Sequence, residues 1–139
     1  MGRRRLGRET AFKALYRVDV TGKGMEEALA GLDPENGDEE AVRFAQELLE
    51  TVGAHATHLD EILNGAVDRW GTDRMAVVDR SLLRLGAAEI LYWRWIPDEV
   101  SIDEYVDLAK KFGSDEAGGF VNAVLDRISK EARAAGADS

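Results

Sequence analysis

The run from Arg74 to Tyr92, Arg-Met-Ala-Val-Val-Asp-Arg-Ser-Leu-Leu-Arg-Leu-Gly-Ala-Ala-Glu-Ile-Leu-Tyr, constrains the fold more than any other stretch of the chain. Met75, Val78, Leu82, Leu85, Ala88 and Tyr92 recur at steps of three and four, which places them on one face of an α-helix. Leu83, Ala87, Ile90 and Leu91 form a second apolar series on another side. A helix that is apolar on more than one side has to be packed on more than one side, so this is a central core helix with the rest of the chain wrapped around it. Its charges, Asp79, Arg80 and Arg84, cluster in the first half and leave one strip there for a partner.

The other segments agree with a helical frame. Only two prolines occur, Pro34 and Pro97, and no segment shows the period-two alternation of strands, so the fold class is all-α. A first helix over about 8–20 buries Ala11, Ala14, Leu15 and Val18 and stops at Thr21-Gly-Lys-Gly24, where glycine permits the turn. A short helix over about 25–32 and a loop over 33–37 follow. The longest periodic run, Ala41, Ala45, Leu48, Val52, His55, Leu59, Ile62 and Ala66, is expected to be one helix, bent at Gly53. A separate turn over 72–76 precedes the central helix, and Trp93, Trp95 and Ile96-Pro97 form its exit. Ser101-Ile-Asp-Glu104 has the pattern of a capping box opening a helix striped by Ile102, Tyr105, Val106, Ala109 and Phe112, with Asp107 and Lys111 paired outside. After the turn 113–119, a last helix buries Val121, Val124, Leu125 and Ile128 and frays over 130–139.

With 139 residues the chain has the size of one domain with a real core. It has no cysteine, which excludes disulfides, thiolate metal sites and cysteine nucleophiles. No apolar run reaches membrane-spanning length and the N-terminus lacks a signal-peptide core, so the expected location is cytoplasmic. The net charge of −9 hides an asymmetry: residues 1–17 carry six basic side chains against Glu9 alone, the remainder 12 basic against 26 acidic. A basic arm over 1–7, continued by Arg8, Lys13 and Arg17, can hold phosphate locally while the acidic body repels polyanions elsewhere.

Candidate chemistry is sparse. Tyr16 projects to the polar side of the first helix near Arg5, Glu9 and Lys13. That suits base stacking beside phosphate contacts, and it equally suits a ring lying over a neighbouring helix. Phe120 sits at the edge of the last stripe, either as a core-edge ring, which the periodicity favours, or as an exposed stacking platform. His55 and His58 lie three apart without an evident third ligand, and His55 falls on the apolar seam, so a hydrogen-bonded core histidine is the better reading and no metal is assigned. Glu89 lies close to the buried stripe with no converging nucleophile or base, which favours a structural carboxylate accepting from an arginine or a backbone end. With no phosphate cradle, catalytic set or cofactor motif, the chain reads as a binding module and not as an enzyme.

Several blocks carry a resemblance. Arg3-Arg-Arg-Leu-Gly-Arg-Glu-Thr-Ala-Phe-Lys-Ala-Leu-Tyr16, Val78 to Ile90, Ile96-Pro97, Ile102-Asp-Glu-Tyr-Val-Asp-Leu-Ala-Lys-Lys-Phe-Gly113 and Phe120-Val-Asn-Ala-Val-Leu-Asp126 resemble the NusB family of transcription antitermination factors. The match runs from the arm to about residue 128 and is weakest over 22–38; Asp103 and Ala123 stand where the family usually has asparagine and glycine. The resemblance implies an all-α bundle of about seven helices in two packed sub-bundles, without catalysis or cofactor. It implies binding to single-stranded boxA RNA of ribosomal RNA leader transcripts together with the small-subunit ribosomal protein NusE. The setting is an antitermination complex on RNA polymerase with other Nus factors. By the same resemblance Arg4, Arg5 and Arg8 contact the RNA backbone, Tyr16, Glu116 and Phe120 flank the RNA, and Asp79 with Arg80 belongs to the NusE surface. This raises the stacking readings of Tyr16 and Phe120. The alternative is a homodimeric protein–protein scaffold that masks the arm and binds no RNA by itself. The RNA-binding domain of a larger RNA methyltransferase shares this fold, but the chain ends where that catalytic domain would begin.

Overall fold

A computed structural model describes residues 2–33, 37–67 and 75–136. Its seven helices, with no strand among the described residues, are α1 (Arg3–Thr21), α2 (Met25–Ala30), α3 (Glu39–Ala54), α4 (Ala56–Ala66), α5 (Val77–Tyr92), α6 (Asp98–Phe112) and α7 (Ala117–Gly136). One sub-bundle joins α1, α2 and α3; the other joins α5, α6 and α7, with α4 laid against α5 and α7. The central run behaves as its two apolar faces require: α5 touches α1, α3, α4, α6 and α7, and Ser81, Leu82, Leu83 and every residue from Leu85 to Ile90 is buried. The expected loop over 33–37 and turn over 72–76 lie largely outside the described residues.

Local chemistry accounts for the end of α1 and the start of α3. Gly22 takes a left-handed φ of 74° at the end of α1, and the N–H groups of Gly22 and Lys23 donate back to Asp19 and Val18. That satisfies carbonyls the helix would otherwise leave open. Asp38 caps α3 by accepting from the Ala41 N–H at 3.1 Å.

Five expectations are corrected. The run from Ala41 to Ala66 is two helices, broken at His55 (φ −121°, ψ 23°) and not bent at Gly53. The break turns His55 outward: it is exposed, with its ring stacked on Tyr92 at 3.8 Å, and is no core histidine. The basic arm is itself helical, because α1 starts at Arg3. α6 starts at Asp98 behind Pro97, and the Ser101 hydroxyl, four residues in, donates to Glu89 instead of capping a helix. Finally, α7 runs through Gly136 rather than fraying at 130, with Arg133 paired to Asp98. Residues 137–139 of the expected tail lie outside the described residues.

Candidate functional site

The three arginines expected to contact the RNA backbone, Arg4, Arg5 and Arg8, have different fates, and so does their neighbour Arg3. Arg8 is 1% exposed. Its Nε and one terminal nitrogen donate to the two Glu89 oxygens at 2.8 Å each, and its other terminal nitrogen reaches Glu104 at 3.4 Å. Glu89, itself fully buried, also accepts from the Ser101 hydroxyl at 2.8 Å and from the Tyr105 hydroxyl. Burial by itself would lower the Arg8 pKa, but the hydrogen-bonded Glu89 carboxylate raises it, so the guanidinium stays charged. Burial, and then the neighbouring Glu89 charge, pushes the Tyr105 hydroxyl well above its ordinary value. The structural reading of Glu89 holds. The reading of Arg8 as a backbone contact does not fit: its guanidinium is buried and paired with Glu89 inside the core, where an uncompensated charge on either partner would be costly.

Arg5 is half turned inward. Its Nε donates to Glu104 at 2.7 Å and a terminal nitrogen to Asp107 at 2.8 Å, while its side chain keeps 46% exposure. Arg3 is paired with Asp38 and Glu40. Arg4 has no carboxylate partner among the described residues; its guanidinium lies 4.9 Å from the Trp95 ring centre. An arm rich in positive charge by composition is therefore largely neutralised within the fold.

Tyr16 does lie at the surface, 39% exposed, with its ring 5.9 Å from Phe12, which in turn lies 5.2 Å from Phe112. Two ammonium groups rim this ring cluster: Lys13 Nζ is 5.6 Å and Lys111 Nζ 5.2 Å from the Phe112 ring centre. Both lysines share one carboxylate, Glu9, at 3.2 and 2.8 Å. The Lys111 hydrogen bond, opposed by burial and aided by Lys13, holds Glu9 below the usual carboxylate range. Asp107 is thus not the partner of Lys111; it serves Arg5. Phe112 and Lys111 are the site residues that helical periodicity alone hides, since Phe112 counts as the end of a core stripe. The adjacent basic-basic-aromatic tripeptide Lys110-Lys111-Phe112 was the available signal.

Two residues beyond Phe112 begins a second feature. A cavity of about 390 Å³ is lined by Asp79 and Met75 at the start of α5 and by Ser114, Glu116 and Phe120 around the start of α7. The fold thus brings Asp79, Glu116 and Phe120 together, with Phe120 half-buried and Glu116 exposed. Burial pushes the Asp79 carboxyl above its ordinary value. Arg80 points elsewhere. It donates to Asp19 of α1 at 2.8–2.9 Å, and Arg84 bridges Asp19 and Asp60, so the expected strip on α5 is split and one side of it is a tether to α1.

Among the described residues no cluster of His, Asp or Glu could hold a metal ion, and no helix is long and apolar enough to cross a membrane. His55 and His58 both lie against the Tyr92 ring.

These features define the class of protein: an all-α, two-part helical bundle that carries a lysine-rimmed ring cluster on an acidic body. The chain belongs to the NusB family, whose model matches residues 5–130. It is similar to the transcription antitermination protein NusB of Myxococcus xanthus (strain DK1622), with 42% identity over 133 residues covering 92% of this chain and 95% of that one. It is similar at 41% identity over 130 residues to the NusB protein of Bacillus subtilis (strain 168), covering 93% of this chain and 96% of the relative. Among solved structures, T. maritima NusB superposes with a TM-score of 0.84 at 34% identity, covering 94% of this chain and 92% of that one. A chain from a crystal structure of the antitermination factors NusB and NusE in complex with dsRNA gives 0.83 at 33% identity, covering 94% and 98%.

Proposed function

We propose that this chain acts in transcription antitermination in the cytoplasm, binding single-stranded boxA RNA of ribosomal RNA leader transcripts together with NusE within the complex on RNA polymerase. The observation that carries the proposal is the Tyr16–Phe12–Phe112 ring cluster rimmed by Lys13 and Lys111. Single-stranded RNA offers unstacked bases and phosphates side by side, and rings flanked by cations answer both. The NusB names of the relatives support a role in antitermination, and the NusB–NusE–dsRNA complex that shares this fold supports contact with RNA and NusE in general. In it Tyr16, Phe120 and Glu116 flank the RNA. Arg4 supplies phosphate contacts, as does Arg5 once it exchanges a carboxylate for a phosphate. Arg8 instead fixes α1 to α5 and α6. Asp79 contributes to the NusE side, and the Arg80 tether holds that side in register. So few uncommitted cations give modest affinity for RNA alone, and a second protein that extends the surface raises it.

The test is a fluorescence titration of a labelled boxA oligoribonucleotide at several salt concentrations, with and without NusE. Tyr16→Ala and Phe120→Ala are each expected to weaken binding about tenfold, the scale of one lost base–aromatic stack. Unchanged affinity for both variants would sink the proposal. So would light scattering that shows a stable dimer which RNA neither enters nor dissociates, since α1 would then serve self-association.

A further inference from the structure

We infer that Trp95, with Arg4 and Arg94, forms a second stacking subsite for single-stranded RNA at the far end of α1 from Tyr16. This rests on the RNA-binding reading and extends the path of the same strand. Among the described residues Trp95 is the most exposed of the large hydrophobic side chains, at 59%. It is nonetheless held firmly. Trp93 beside it is buried, donates its indole N–H to the Thr51 hydroxyl at 3.2 Å and meets Phe44 edge-on at 5.2 Å. The two indoles stack at 5.4 Å and 25°, and Ile96 on the other side is anchored at 2% exposure. A ring fixed by its neighbours loses little freedom when a base stacks on it.

Charge selects the occupant. Arg4 lies 4.9 Å from the Trp95 ring centre, and Arg94 is exposed next to it in the chain; neither has a carboxylate partner among the described residues. In a protein of net charge −9, the Arg4 guanidinium over an indole that is 59% exposed makes a local positive spot, and the exposed Arg94 adds a charge from the adjacent chain position. A base stacking on the Trp95–Arg4 pair would set its phosphates within reach of Arg4, because a guanidinium offers a flat face to a ring and N–H edges to phosphate, while the exposed Arg94 adds to the local positive field. Arg4 and Tyr16 are twelve residues apart on α1, about 18 Å along the helix axis. The subsite would therefore take nucleotides flanking those held at Tyr16.

The experiment compares two labelled RNAs, a minimal boxA oligoribonucleotide and the same element extended by uridines at both ends. Binding is measured with the wild type, Trp95→Ala, Trp95→Phe, Arg4→Ala and Tyr16→Ala, and circular dichroism melting checks each fold. Trp95→Ala is expected to lose about tenfold affinity for the extended RNA only, with Trp95→Phe recovering most of it and Arg4→Ala losing severalfold. The part of the tryptophan quenching seen with extended RNA that comes from Trp95 should vanish in Trp95→Ala. If Trp95→Ala binds both RNAs like the wild type while Tyr16→Ala weakens both, the subsite is wrong and the RNA reading stands. If Tyr16→Ala also has no effect, both fall. Equal losses on the short and the extended RNA overturn the flanking placement. Unchanged RNA affinity with weaker NusE capture by Trp95→Ala assigns the indole to a protein contact and overturns the inference.

Discussion

Replacing Glu89 by alanine isolates the buried ion pair among the contacts that tie α1 to α5 and α6. The substitution strands a guanidinium that is 1% exposed and leaves the Ser101 and Tyr105 hydroxyls without their shared acceptor. Removing one partner of a buried ion pair costs about 3–5 kcal/mol, because the other charge stays buried without compensation. A domain of this size has a total stability of about 5–15 kcal/mol, so the loss is a large share. With an unfolding entropy near 2.1 cal/mol/K per residue over 139 residues, the expected fall in melting temperature is about 10–17 °C. Circular dichroism at the helical band, with a parallel urea titration, reads it. The triple variant Arg8→Met, Glu89→Leu, Tyr105→Phe removes the buried polar groups of the cluster except the Ser101 hydroxyl, leaves the part-buried Glu104 to its Arg5 partner, and should recover most of the lost stability. A melting temperature for Glu89→Ala within about 3 °C of wild type, equivalent to roughly 1 kcal/mol, refutes the reasoning. So does a triple variant no more stable than Glu89→Ala. The same cluster sets an alkaline limit. The folded-state pKa of Tyr105 is raised above the unfolded value, so its contribution is intact below about pH 10 and is lost as pH rises further. Tyr105→Phe should remove that component of the alkaline slope.

Glu9→Gln frees Lys13 and Lys111 from their shared carboxylate, and is expected to tighten RNA binding and steepen its salt slope by about one. The pair's own contribution to stability, present above the usual carboxylate pKa and lost as pH falls below it, is under about 1 kcal/mol and disappears in the variant. Asp79→Asn should raise the melting temperature at pH 7 while weakening NusE binding. The folded-state pKa of Asp79 is raised by burial, so its charged form costs stability at neutral pH, and the gap to wild type should close as pH falls to about 4. Gly86→Ala would put a methyl carbon 2.7 and 3.0 Å from the Leu125 methyls and 3.2 Å from the Tyr105 ring. The overpacking costs about 1–3 kcal/mol, more than the helix propensity gained, and a lower urea midpoint with unchanged slope is the check.

The internal pairing of the arm changes how its charge is understood. Composition shows six cations before residue 18, and RNA affinity scales with cations that can exchange counterions for phosphate. Arg3, Arg5 and Arg8 each already hold carboxylates. The usable charge therefore sits on Arg4 beside Trp95 and on the Lys13–Lys111 pair beside Phe112, where two ammonium groups share the single Glu9 carboxylate and leave a net positive charge. The rings, held by their own packing, give that charge a fixed geometry.

Helical class, the central place of the run to Tyr92 and the surface position of Tyr16 were legible in the sequence, because each depends on periodicity within one segment. The blocks Ile102–Gly113 and Phe120–Asp126 also carried the family, since their order and spacing are specific. Arg8 was misread for the opposite reason: its partner Glu89 is 81 residues away, and nothing local distinguishes a guanidinium facing water from one facing a buried carboxylate. Ser101 and Lys111 failed in the same way. A plausible partner three or four residues off lost to Glu89 and Glu9, which only packing brings within reach. The break at His55 interrupts a run whose apolar spacing continues across it, so tertiary contact, not pattern, decides where α4 departs. Local spacing determines which faces are apolar; only the folded chain determines which charges are left for a partner, because a charge is neutralised by what lies near it in space.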